Sequence, residues 1–184
     1  MVNQDPYLSE VFSQPPLTAY KRQKNIRDHL IRARVPGNPR SYPERNRRGM
    51  KKCGKNCTAC PYIKEVKSLK MKEVEWKINQ SLDCSTSNCI YMIQCSKDNC
   101  NMRYIGETKR IMKFRLAEHR GYVTNQILST PTGEHFNLPG HSLADLNMVI
   151  LEKVRSQDDL YRKEREKYFI RKFNTYYRGL NKQP

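Results

Sequence analysis

A chain of 184 residues has room for one main domain and a small appendage. Lysine and arginine number 35 against 18 acidic residues, a net charge of +17, so a polyanion is the natural partner and nucleic acid the first candidate. No apolar run approaches the ~20 residues that a membrane span needs, which argues against a membrane partner.

Met1 to Pro16 is polar and proline-bearing, without the apolar stretch of a secretory signal. The chain is therefore expected to be intracellular, and nuclear if DNA is its partner, with its cysteines reduced. Seven cysteines, an odd number, also argue against a fully paired disulfide framework. Residues 1–52 carry six prolines and no sustained apolar pattern. Ile26, Leu30 and Ile31 predict a short helix over Asn25 to Arg34, which Pro36, Pro39 and Pro43 then break. From Lys21 to Lys52 there are twelve basic residues and two acids, so residues 1–52 read as a basic linker with a DNA-contacting arm.

Residues 53–88 read as a cysteine-rich, zinc-binding segment that also holds the only tryptophan, Trp76. Cys53, Cys57 and Cys60 place three thiolates close enough to fill three corners of a zinc tetrahedron. The fourth ligand is expected to be Cys84, with Cys89 as the second choice. Next, Ile90 to Ile93 and Arg103 to Ile105 read as the two strands of a hairpin, with Cys95 and Cys100 in its loop. Thr108 is expected to cap a helix running to about Tyr122, on which Arg115 and His119, four apart, share a face. His135 and His141 follow in a Pro/Gly-broken stretch and complete a second set of two cysteines and two histidines. Two structural zinc ions are expected, because a closed four-ligand site keeps no position open for water.

A third strand fits Asn147 to Leu151, and a second long helix starts at Asp158 or Asp159 and ends near Phe173. Phe169, Ile170 and Phe173 follow Glu166 at helical spacing, so this carboxylate lies on the apolar side while Glu164 lies well round the helix. An inward carboxylate needs a partner. That partner is either a buried ion pair with Arg115 or a metal ion.

Taken in order, Cys89-Ile90-Tyr91, Tyr104-Ile105-Gly106, Arg115, His119, Glu166 and Asn181 resemble the GIY-YIG endonuclease family. Cys95, Cys100, His135 and His141 are similar to the metal-binding insertion of the branch carried by Penelope-like retroelements. The nuclease resemblance covers about residues 84–184, and Pro15 to Val35 looks like the connector that follows the reverse transcriptase in those elements. The chain departs from the pattern at Cys89, which stands where the family has glycine, and in its long loop between the motifs. Arg115 also lies one residue further from Tyr104 than in the phage enzymes.

The resemblance implies an α+β fold for residues 89–184, a small three-stranded antiparallel sheet flanked by helices. It implies a DNA-nicking enzyme in which Glu166 holds Mg²⁺ (or Mn²⁺), Arg115 binds phosphate and His119 hydrogen-bonds a tyrosine or a phosphate. Tyr91 is the expected proton acceptor, Tyr104 an orienting group, and Asn181 closes the site through its amide. It further implies a chain that is part of, or fused to, a reverse transcriptase. Two other readings share the residues: a catalytically inactive, zinc-stapled nucleic-acid-binding module, and a host structure-specific repair nuclease.

Overall fold

Three runs rich in β-branched and aromatic residues build the sheet at the centre of the molecule. The computed structural model describes residues 48–54, 56–71, 74–155 and 158–182. The helix expected over 25–34, the connector resemblance and the basic arm before residue 48 lie outside the described residues. In chain order the strands are β1 (Gly49–Met50), β2 (Ser68–Met71), β3 (Val74–Lys77), β4 (Ser81–Leu82), β5 (Cys89–Cys95), β6 (Arg103–Thr108) and β7 (Leu146–Lys153). The helices are α1 (Met112–Thr124), α2 (Pro131–Phe136), α3 (Asp159–Lys172) and α4 (Thr175–Arg178).

The expected three-stranded antiparallel sheet is present, in the order β6-β5-β7. Central β5 is buried along nearly its whole length, as its continuous apolar sequence requires. Met112, Leu116, His119 and Val123 form the buried stripe of α1, and Phe169 and Ile170 that of α3. Asp158, rather than Asp159, caps α3, its carboxylate accepting from the Leu160 N–H at 2.9 Å.

The other helix start differs from expectation. Thr108 ends β6 and uses its hydroxyl to accept from the Arg110 N–H at 3.1 Å, and α1 begins only after Ile111, without a side-chain cap. A threonine after an apolar run suits a strand end as well as a helix cap, and pairing with Cys89 decided for the strand. The register also sets Tyr91 opposite Gly106 and Tyr104 opposite Ile93, so the two tyrosines are diagonal neighbours rather than facing partners.

Both edges of the sheet are covered. Along β7, Lys64 N–H donates to Met148 O at 3.1 Å, Trp76 Nε1–H donates to Leu151 O at 3.0 Å, and the Gln80 amide pairs with both backbone groups of Lys153. These residues belong to the cysteine-rich segment, which contributes the hairpin β2–β3 and the strand β4, paired in parallel with β1 from the end of the stretch read as a linker; neither pairing was foreseen from the sequence. Along β6, the tail after α4 takes the place of a fourth strand. Leu180 N–H donates to Arg103 O at 2.7 Å. The Asn181 amide then imitates a strand residue, accepting from Ile105 N–H at 2.9 Å and donating to Ile105 O at 2.8 Å. Gly179 permits this approach, since a Cβ there would lie 2.6 Å from Arg103 O.

Asn181→Ala is expected to cost about 1–3 kcal/mol for each Ile105 group left unpaired. Asn181→Asp, although isosteric, should cost at least as much, because it turns an oxygen toward the Ile105 carbonyl. Chemical denaturation of both variants checks this, and a near-native aspartate variant would contradict the pairing.

Candidate functional site

Tyr91 lies in the middle of β5 with no exposed surface, so its hydroxyl must find partners inside the protein. It finds two on α1. Arg115 Nε–H donates to the phenol oxygen at 2.8 Å, and His119 Nε2 lies 2.7 Å from the same oxygen. With arginine supplying a proton to the oxygen, the phenol's own proton points at His119. The imidazole's other nitrogen, Nδ1, faces the buried Thr132 hydroxyl at 3.0 Å. Residues four apart on one helix thus converge on one atom, as their spacing requires. Gly106 leaves room for that atom, since a Cβ there would stand 2.5 Å from the Tyr91 hydroxyl.

Tyr104 is half-buried, with its ring 6.4 Å from that of Tyr91 and 5.7 Å from that of His119. Burial, reinforced by Glu166 and opposed by Arg115, raises its pKa. Burial likewise holds the Tyr91 phenol well above its usual range, so both phenols are protonated at rest. Burial, aided by the Arg115 charge, depresses His119 to about 3. The imidazole is therefore neutral at physiological pH and able to accept a proton.

Glu166 is half-buried and pushed up to about 7, first by burial and then by the nearby Glu107 carboxylate. The Glu107 backbone N–H bonds it, and Arg115 and Lys163 favour its charge. Among the described residues it forms no ion pair, so the expected alternative of a buried bridge to Arg115 is not formed. Arg115 instead pairs with Glu118 at 2.8 Å. A carboxyl group desolvated beside a second carboxylate and lacking a cation of its own fits a divalent metal ligand.

Asn181 is brought to the same strand, but its amide is committed to the Ile105 backbone, where it positions β6 under Tyr104. Sequence reading did not find Glu118, Thr132, Glu107 or Arg162. Arg162 is 4% exposed and binds Glu107, Asn88 Oδ1 and Asp159, so it neutralises the acid beside Glu166. Its signal was its position four residues before Glu166, on the same inward face of α3.

The two sets of metal ligands also assemble. Cys53, Cys57, Cys60 and Cys84 bring their sulfurs within 4.8 Å of one another, as do the ligand atoms of Cys95, Cys100, His135 and His141. Cys84 is thus the fourth member, whereas Cys89 is fully buried in β5. The Cys53–Cys60 and Cys60–Cys84 sulfur separations are 3.5 Å, far beyond a disulfide bond and close to the roughly 3.8 Å edge of a zinc–thiolate tetrahedron with ~2.3 Å bonds. His135 and Thr132 share helix α2, so the second set fixes the helix that orients His119.

Residues 87–181, more than half of the chain, match the family model of the GIY-YIG catalytic domain. No curated protein and no solved structure matches the chain. A domain of this kind indicates a metal-dependent nuclease with DNA as its substrate. No helix among the described residues is long and apolar enough to cross a membrane.

Purified protein is expected to carry about two zinc ions per chain, one per four-ligand set. Elemental analysis finding none would sink both sites, and Cys57→Ser and Cys100→Ser should each remove about one. His119 generates a pH prediction. Its folded pKa lies below its unfolded value of about 6.5, so the stability it contributes above that pH is lost as pH falls toward its folded value. The wild-type Tm should therefore drop more between about pH 7.5 and about pH 5 than that of His119→Gln. Parallel melting curves would refute the buried neutral imidazole.

Proposed function

The chain belongs to the GIY-YIG family, and on that premise we propose that it is a metal-dependent endonuclease that nicks target DNA for a Penelope-like retroelement. The observation that carries the catalytic reading is the hydrogen-bonded set Arg115–Tyr91–His119 beside a carboxylate, Glu166, that forms no ion pair among the described residues. Convergence of Cys95, Cys100, His135 and His141 supports the retroelement branch, because these residues lie in the insertion that distinguishes it. In such an element the nick would serve the reverse transcriptase to which the chain is joined.

Cutting a phosphodiester requires a deprotonated water and a stabilised, negatively charged phosphorane. Tyr91 is the proton acceptor in this reading. Its phenol proton passes to neutral His119 as it takes one from water, and Thr132 receives the hydrogen bond of the other imidazole nitrogen. Arg115 keeps its Nε–H on the developing phenolate while its remaining donors face phosphate oxygens. Tyr104, the phenol with exposed surface, orients the water and the phosphate. When bound at Glu166, Mg²⁺ or Mn²⁺ supplies Lewis-acid polarisation of the scissile phosphate.

Nicking of supercoiled plasmid in Mg²⁺ tests this reading. Glu166→Gln should lose on the order of 10²–10³ in rate, with DNA binding and melting temperature near those of the wild type. Arg115→Ala should lose as much at a moderately lower melting temperature, because the Tyr91 hydroxyl is left one partner short. Tyr91→Phe should lose a comparable amount. Undiminished cutting by these variants would leave only the nucleic-acid-binding role, whereas collapsed melting would make the residues structural.

A further inference from the structure

Outside the active site, the cleft between the β2–β3 hairpin, the start of β6 and the C-terminal end of α3 encloses about 750 Å³. Lys70, Arg103, Lys172 and Arg178 line it, and no carboxylate does among the described residues. Two of its polar groups are buried without partners. The Thr175 hydroxyl belongs to a residue 1% exposed, and Arg103 Nε is likewise buried and unbonded. A native fold does not ordinarily leave a buried guanidinium N–H and a buried hydroxyl unsatisfied in one pocket. Both donors would be satisfied by one anionic oxygen-rich group, and the surrounding cations would neutralise it. Met71, Val74 and Phe173 supply an apolar wall. Lys172 is steadied over the Trp76 ring, 5.3 Å from its centre, with its ammonium donating to Tyr168 at 3.1 Å.

We propose that this cleft is a second phosphate site, holding a phosphodiester of the substrate strand at a distance from the one that is cut. Assignment of the phosphate to DNA rests on the nuclease reading. Existence of the anion site rests on the cleft alone. Arg103 and Tyr104 are consecutive on β6, so their side chains leave opposite faces of one strand. A DNA strand serving both must pass outside the tail residues that cover the β6 edge, presenting one phosphate to the tyrosine and a more distant one to the arginine. Gripping the backbone at two points on a rigid strand fixes which bond lies at Tyr91 without reading any base.

The test measures binding without turnover, so failure of the site and failure of the nuclease are separable. Full-length Glu166→Gln protein is titrated against fluorescent single-stranded oligonucleotides, with and without a 5′-phosphate, in magnesium-free buffer at several salt concentrations. Removing Lys70, Arg103 and Arg178 together as glutamines should flatten the slope of log Kd against log salt by about 2, at ~0.7 per lost contact. Removing three exposed charges elsewhere, at Lys64, Lys77 and Arg155, should change it by less than one contact's worth.

Thr175→Val is the sharper variant, because it deletes an unpartnered hydroxyl. It should leave the melting temperature unchanged or raised while weakening oligonucleotide binding about tenfold, the worth of one hydrogen bond to a charged group. Equal losses for both oligonucleotides place an internal diester in the cleft. A loss confined to the 5′-phosphorylated one places a strand end there, and supports the anion site while revising its occupant. Equal slopes for the two triple variants, or unaltered binding by Thr175→Val, overturn the proposal.

Discussion

The arrangement of the site follows from one requirement, that a phenol enclosed in the central strand must have its hydroxyl satisfied from within. Tyr91 has no access to solvent, so α1 must deliver Arg115 and His119 to the same oxygen. Position 106 must lack a side chain, and α2 must hold a hydroxyl against the far side of the imidazole. Each condition is structural in origin, and together they set a hydrogen-bonded chain of phenol, imidazole and hydroxyl beside a guanidinium. Packing and chemistry here make the same demand on the same residues. Replacing Tyr91 by an apolar residue would remove that demand and leave Arg115 and His119 buried for no purpose.

Two groups of side chains that could hold metal ions extend that logic to the segments around the sheet. The first lies in the segment that covers the β7 edge, and the second includes His135 on the helix that carries Thr132. Neither is placed to touch the reacting groups directly. With metal bound they would fix the frame, one at the far edge of the sheet and one behind His119.

Much of this was legible in the sequence, for identifiable reasons. Strands β5 and β7 showed through as short continuous apolar runs, and the long helices through apolar residues three and four apart. Spacing revealed both metal sets, and helical phase placed Glu166 inward beside Phe169 and Ile170. Local ambiguity hid the start of α1, since Thr108 serves a strand end as readily as a cap. Strands β1 to β4 are two to four residues long, too short for any period to register. Arg162 was hidden by its residue type, as a cation on a basic helix reads as solvated until its acidic and amide partners are brought from β6 and the loop before β5. The Asn181–Ile105 pairing spans 76 positions and leaves no local trace at all.

That last separation has a consequence for synthesis. As the chain leaves the ribosome, β5, β6 and α1 emerge well before the tail that pairs with Ile105. Until the tail arrives, β6 presents bare backbone donors and acceptors to solvent, the kind of edge on which other strands add. A product truncated before residue 180 would therefore expose this edge to other chains. Closure of the β6 edge is thus left to the last described residues to be synthesised.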